Sequence, residues 1–390
     1  MSKILQPQKD YRFKVLYAIG MIHIVAGHCI NGGISLFYDW FPPYAFHLGL
    51  FAFSSGYFYK NTSEDNLAQY ILRKAKTLLV PLYIWNVIYA VLVSALDLFG
   101  FTIGSDVTLY NLTIAPIVNG HQFIYNMGGW YVIPLYMVEV INALFRKLSE
   151  NIFGQRKETA VFIIYLLLGV CGICLANDGY RTGWWLVLTR ALYFLPVYGF
   201  GIFYQRVLEK YDVLSNAPYF LIIFSAQLVI IFICGRAPAY TPSWCSDFVD
   251  GPIIPFVVCC LGIAFWFRVA KTLEPIVGRS KVVNLIADNT FSIMINHFIG
   301  FMLLKAVFAF FHKYTGLFSN FDMTRFKTDV WYFYTPGGIA NTRIMYVLAG
   351  ITFPIIVQIL INLIKRRMRR SLTLIKTQKE ITPSRTKNET

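Results

Sequence analysis

The sequence predicts an all-α fold: a polytopic membrane helix bundle of about ten transmembrane helices with both termini cytoplasmic. Three observations carry that prediction. The 390 residues are 56% hydrophobic and only 14% charged, with a mean hydropathy of +0.53, whereas soluble domains carry roughly 25% charged residues. Apolar runs of about 20 residues, the length that crosses the hydrocarbon core of a bilayer, recur along the chain. The cations gather in the connectors on one side of these runs and avoid those on the other.

In chain order the runs cover residues 14–33, 44–60, 77–98, 127–146, 159–177, 184–204, 217–235, 252–270, 285–311 and 342–364. Basic residues precede the first run, as in a secretory signal. It holds His23 and His28, lacks a small-residue cleavage site and leads into further spans, so it is expected to stay as the first helix. Connectors of one side, together with both termini, carry 27 of the 35 Lys and Arg, and the loop 99–126 of the other side has none. The excess of cations on cytoplasmic segments then places both termini inside, which needs an even number of spans.

That asymmetry also explains the formal charge of +15 without nucleic acid. Residues 1–364 read as one membrane domain, and 365–390 as a basic, disordered cytoplasmic tail held near lipid headgroups. The outer loops 99–126, 236–251 and 312–341 are rich in Tyr, Gly, Pro and Asn, and suit a receiving surface or plain connectors. Neither a phosphate-binding P-loop nor a dinucleotide fingerprint is present, which argues against ATP-driven work by this chain alone. The seven cysteines are scattered, the pair Cys171 and Cys174 lies inside an apolar run, and no metal is expected.

Ionisable side chains at membrane depth are expensive and mark function unless partnered. His23 and His28 fall in the first run, His47 opens the second, Arg190 lies in the sixth and His297 in the ninth. Residues eleven apart on a helix share a face about 16 Å apart along the axis. Both Arg12 with His23 and Tyr17 with His28 have that spacing. A cation at the inner end could hold an anionic donor while a histidine deeper on the same face moves a proton. His23 and His28, five apart, point about 140° away from each other and are not expected to act as a pair. Ser54, Ser55 and Gly56 read as small residues for close helix approach, and Arg73, Lys74 and Lys76 as topology determinants.

The run AIGMIHIVAGH, then FHLGLFAFSSGYF and RKAKTLLVPLYIW, then GGWYVIPLY, RALYFLPVYGFGIFY and ADNTFSIMINH resemble, in the same order, segments of the acyltransferase 3 family of integral-membrane O-acyltransferases. That family carries a basic residue, ten residues of any kind and an essential histidine in its first helix. The GH dipeptide and the distance to SSGYF favour His28, with Tyr17 in the basic position; His23 with Arg12 keeps the spacing literally. The resemblance implies transfer of an acyl group, usually acetyl from cytoplasmic acetyl-CoA, to a hydroxyl of a cell-surface polysaccharide or its lipid-linked precursor. Acetyl-CoA is then a co-substrate and no cofactor is bound.

Under this reading His28 or His23 is general base or transient acyl carrier. Arg12, His47, Arg190 and His297 bind substrate, with Arg190 or His297 a candidate to stabilise charge on the carbonyl oxygen. A polysaccharide exporter or flippase, or a proton-coupled transporter that uses the same histidines as a relay, is the alternative.

Overall fold

A computed structural model describes residues 10–29, 40–104, 106–154 and 157–381. The helices are, in order, α1 (Tyr11–Cys29), α2 (Pro43–Tyr57), α3 (Leu67–Asp97), the short α4 (Leu109–Thr113) and α5 (Ala115–Val118), α6 (Val132–Phe153), α7 (Glu158–Asn177), α8 (Gly183–Phe203), α9 (Asn216–Cys234), α10 (Ile254–Val277), α11 (Lys281–Asp288), α12 (Thr290–Thr315), α13 (Met323–Thr328) and α14 (Ile344–Ile381). No named strand occurs among the described residues, and each of the ten apolar runs holds a helix. Residues 30–33 of the first run lie outside the described residues.

Among the described residues, eight helical stretches are long and apolar enough to cross a membrane. The helices α1 and α2 are not among them, with 19 and 15 residues; 15 residues rise only about 22 Å against a core of about 30 Å. Instead they sit inside the bundle. α1 packs against α2, α10, α11, α12 and α14, and α2 packs against α8 and α10. Screened from lipid by the longer helices, they can carry polar side chains that a lipid-facing helix could not. α2 meets α8 at very close range because a Cβ on Gly201 would lie 2.0 Å from the Phe53 carbonyl oxygen.

The cation-rich ends gather on one side. Arg12, at the start of α1, binds Glu209 at 2.9 Å and the Tyr57 hydroxyl, at the end of α2, at 3.1 Å. Glu158 pairs with Arg146 at 2.7 Å and also with Arg206. Asp212 takes Lys271 at 2.6 Å and also Arg268. The side chains of Lys14 and Asp288 join α1 to the end of α11. On the opposite side the loops pack on each other: the Thr102 amide donates to the Lys327 carbonyl at 3.0 Å and Lys327 Nζ to the Phe99 carbonyl at 2.8 Å.

Three boundaries differ from expectation. The run 285–311 is broken at Asn289, whose side chain donates to the Leu285 carbonyl. The run 127–146 opens as a 3-10 segment, Ile124–Tyr131, containing Gly128 and Gly129. The basic stretch after 364, expected as a disordered tail, continues α14 to Ile381, consistent with its many Lys, Arg and Leu residues, which are strong helix formers.

Candidate active site

Four membrane histidines share one local device. Nδ1 of His23 lies 2.8 Å from the Ile19 carbonyl, that of His28 2.8 Å from the Ile24 carbonyl and that of His297 3.0 Å from the Ile293 carbonyl, while His47 Nδ1 meets the Pro43 carbonyl. Each carbonyl sits four residues back on the same helix. A carbonyl only accepts, so Nδ1 carries the proton and Nε2 keeps the lone pair in the neutral ring. The helix thus fixes both tautomer and ring direction.

The rings then part company. His28 stands 5.0 Å from the His297 ring, 5.2 Å from Phe298, 6.3 Å from Tyr44 and 6.4 Å from Trp331 of the loop before α14, centre to centre. His47 approaches Tyr44 edge-on at 5.1 Å. His23 instead packs edge-on against Trp266 at 4.6 Å and Phe46 at 5.4 Å, inside the aromatic contact with α10. So α1 sends one histidine into packing and the other into a polar cluster, as their angular separation requires.

A small cavity of about 40 Å³ opens on His28 and His47, with Tyr44, Gly128, Trp130, Pro242 and Ser243 in its walls. A second cavity of about 280 Å³ runs beneath it, and the two share Ile24, Leu48 and Met294 as common walls. The lower cavity is mostly apolar, with the side chains of Tyr17, Ser55 and Thr290 at its inner end. Tyr17 lines the lower cavity and His28 the upper, so the two cavities together cover roughly 16 Å along α1.

Close approach at Gly128 makes the upper cavity possible. A Cβ there would fall 2.0 Å from the Met294 carbonyl oxygen and 3.3 Å from His297 Cε1. Only glycine lets the 3-10 segment lie this close to α12. The Met294 carbonyl also accepts from His297 Nδ1, at 3.0 Å, so the same contact sets the ring.

Arg190 belongs to the roof. It is buried, its Nε donates to the Ser243 carbonyl at 2.8 Å and its Nη2 to the Asn119 carbonyl at 3.0 Å, and its guanidinium covers Trp130 at 4.8 Å. It therefore fixes two cavity walls, Trp130 and Ser243, from behind. His121 of the same loop stacks on Trp244 at 4.4 Å and on Trp130 at 6.5 Å. Burial, and next the Arg190 charge, push its imidazole down to about 3, so it stays uncharged at neutral pH. Trp244 and Trp331, 46% and 47% exposed, present their rings to solvent near this roof.

Arg12 lies apart from these cavities. Asp10, Glu209 and Tyr57 occupy its guanidinium, so the cation read as a donor-holding group is already neutralised. Sequence reasoning missed Tyr44, Trp130, Ser243 and Trp331. The GGW run is a local signal that could have marked Trp130, but nothing local marks Ser243 or Trp331, which only the folded loops bring to the histidines. Among the described residues no group of three or more His, Cys, Asp or Glu side chains converges as a metal site requires.

A family model described as an acyltransferase domain matches residues 10–365. No curated protein and no solved structure matches the chain.

Proposed function

The chain belongs to this acyltransferase family and is built as a multi-pass helical membrane protein, and from that premise we propose that it moves an acetyl group from cytoplasmic acetyl-CoA to a hydroxyl of a cell-surface polysaccharide or its lipid-linked precursor. One observation supports this most: His28 lines a small cavity that shares Ile24, Leu48 and Met294 with a larger, mostly apolar cavity reaching Tyr17 and Thr290, toward the cation-rich ends. With both termini cytoplasmic, those ends face the compartment that holds CoA. The thin pantetheine arm enters past Tyr17, Ser55 and Thr290, and the thioester stops beneath His28.

The chemistry needs little more. A hydroxyl attacks poorly until a base takes its proton. As the acceptor oxygen bonds to the acyl carbon, its proton passes to His28 Nε2; the carbon–sulfur bond breaks and the thiolate takes that proton. The upper cavity selects the acyl group. A water needs roughly 10–15 Å³ of such space, so about 40 Å³ holds three heavy atoms, the size of acetyl and not of succinyl. The acceptor approaches from the opposite side, where Trp244 and Trp331 offer faces for a sugar ring.

Protein in lipid nanodiscs, labelled acetyl-CoA and the host's own surface glycan, stripped of esters by mild alkali, make the test. His28→Ala is expected to lower transfer by about 10²–10⁴-fold, the range for a lost general base, while His23→Ala keeps transfer. Undiminished transfer by the double variant His28→Ala, His23→Ala sinks the reading.

A further inference from the structure

Resting on that role for His28, we propose that His297 is its proton partner: a positioning residue whose Nε2 accepts a hydrogen bond from the imidazolium of His28 while the latter holds the acceptor's proton. Nε2 of His297 is buried and has no partner among the described residues, although the side chain is 0% exposed. A buried acceptor left unpaired costs free energy. Its ring centre lies 5.0 Å from that of His28, a separation that brings nitrogens on the two rings within hydrogen-bond reach once a proton sits on one of them.

The tautomer excludes the other obvious role. An oxyanion needs a donor, and the Nδ1–H of His297 is already shared by the Ile293 and Met294 carbonyls at 3.0 Å each. Only a lone pair remains, and a lone pair stabilises a developing cation. Around the pair, no carboxylate among the described residues competes for that role. The neighbours are His47 and Tyr44 of α2, Phe298 and Phe301 of α12 and Trp331 of the outer loop. The charged side chain further along α12, Lys305, donates to the Val330 carbonyl at 3.0 Å.

No atom is lost or gained in this step beyond the transfer itself. The proton goes from the hydroxyl oxygen to His28 Nε2, is shared with His297 Nε2 while the carbon–oxygen bond forms, and leaves on the sulfur when the carbon–sulfur bond breaks. The transition state carries a positive charge on His28 that the ground state lacks, so a partner for that charge acts on kcat more than on donor binding.

The experiment compares His297→Leu, His297→Met and His297→Gln with His28→Ala in the glycan assay above. Leu and Met fill the space without an acceptor; Gln brings one. His297→Leu and His297→Met are expected to lose about 10²-fold or more in kcat with KM for acetyl-CoA within twofold of wild type, and His297→Gln to recover at least tenfold of the loss. Should Leu fail to fold in the tight space beside Gly128, the Met and Gln pair decides. Wild-type kcat in Leu or Met, or equal losses in folded Met and Gln variants, overturns the partner role. Activity in His28→Ala overturns the function proposed for the site, so the two failures are separable.

Discussion

Replacing Gly128 by alanine tests whether the close approach of the 3-10 segment to α12 builds the site. The new Cβ would stand 2.0 Å from the Met294 carbonyl oxygen, and a backbone atom cannot swing aside as a side-chain tip can. Restoring an ordinary contact means moving the two elements apart by roughly 1 Å, an overpacking change that costs about 1–3 kcal/mol of stability. Because that same carbonyl holds His297 and Met294 walls both cavities, the shift reaches the groups proposed to react, where a 1 Å misplacement costs about 10²-fold in rate. Gly201→Ala is the control, since its Cβ would lie equally close to the Phe53 carbonyl, about 9 Å down α2 from His47. Thermal unfolding in detergent, followed by tryptophan fluorescence, and glycan transfer by the folded fraction are the readouts. Both variants should melt earlier, and only Gly128→Ala should lose kcat about 10²-fold. Equal kcat losses in the two, or wild-type transfer and melting in Gly128→Ala, would refute the argument.

Three further outcomes follow from the same geometry. Leu48 walls both cavities: Leu48→Trp should close the passage and abolish transfer, whereas Leu48→Ala should raise succinyl over acetyl use at least tenfold and cost about 2–5 kcal/mol of stability, checked by competition between the two CoA esters. Arg190→Met leaves the Ser243 and Asn119 carbonyls unpaired, at about 1–3 kcal/mol each, and Arg190→Lys should restore less than half of the lost melting temperature because it lacks the planar fork. Burial pushes the Asp212 carboxyl up, but hydrogen bonds from Lys271 and Tyr204 outweigh it and hold the group below its ordinary value of 3.8. A depressed carboxylate stabilises the fold above its unfolded value and loses that contribution as pH falls through the folded one, so Asp212→Asn should flatten the acid limb of melting temperature against pH.

The helices were legible because length and apolarity act locally, and so was the gathering of cations on one side. What periodicity could not show is that α1 and α2, which are not among the helices long and apolar enough to cross a membrane, are central: a short helix with histidines is unstable against lipid and therefore must be enclosed, which turns its polarity from an objection into a placement. The choice between His23 and His28 could not be made from spacing, since Arg12 and Tyr17 satisfy the eleven-residue rule equally. What differs between them is what occupies each side of α1, and that depends on α10 and α12, more than 220 residues away. The partners of Arg12 were hidden for a related reason, because its carboxylate partner Glu209 lies 197 residues along the chain. Charge at a helix end says which side faces the cytoplasm, but whether it is free to hold a ligand depends on which acid the fold brings to it. The same holds for the lone pair of His297: His28 lies 269 residues earlier in the chain, and a nitrogen's availability is a property of its neighbours, not of its position in SIMINH.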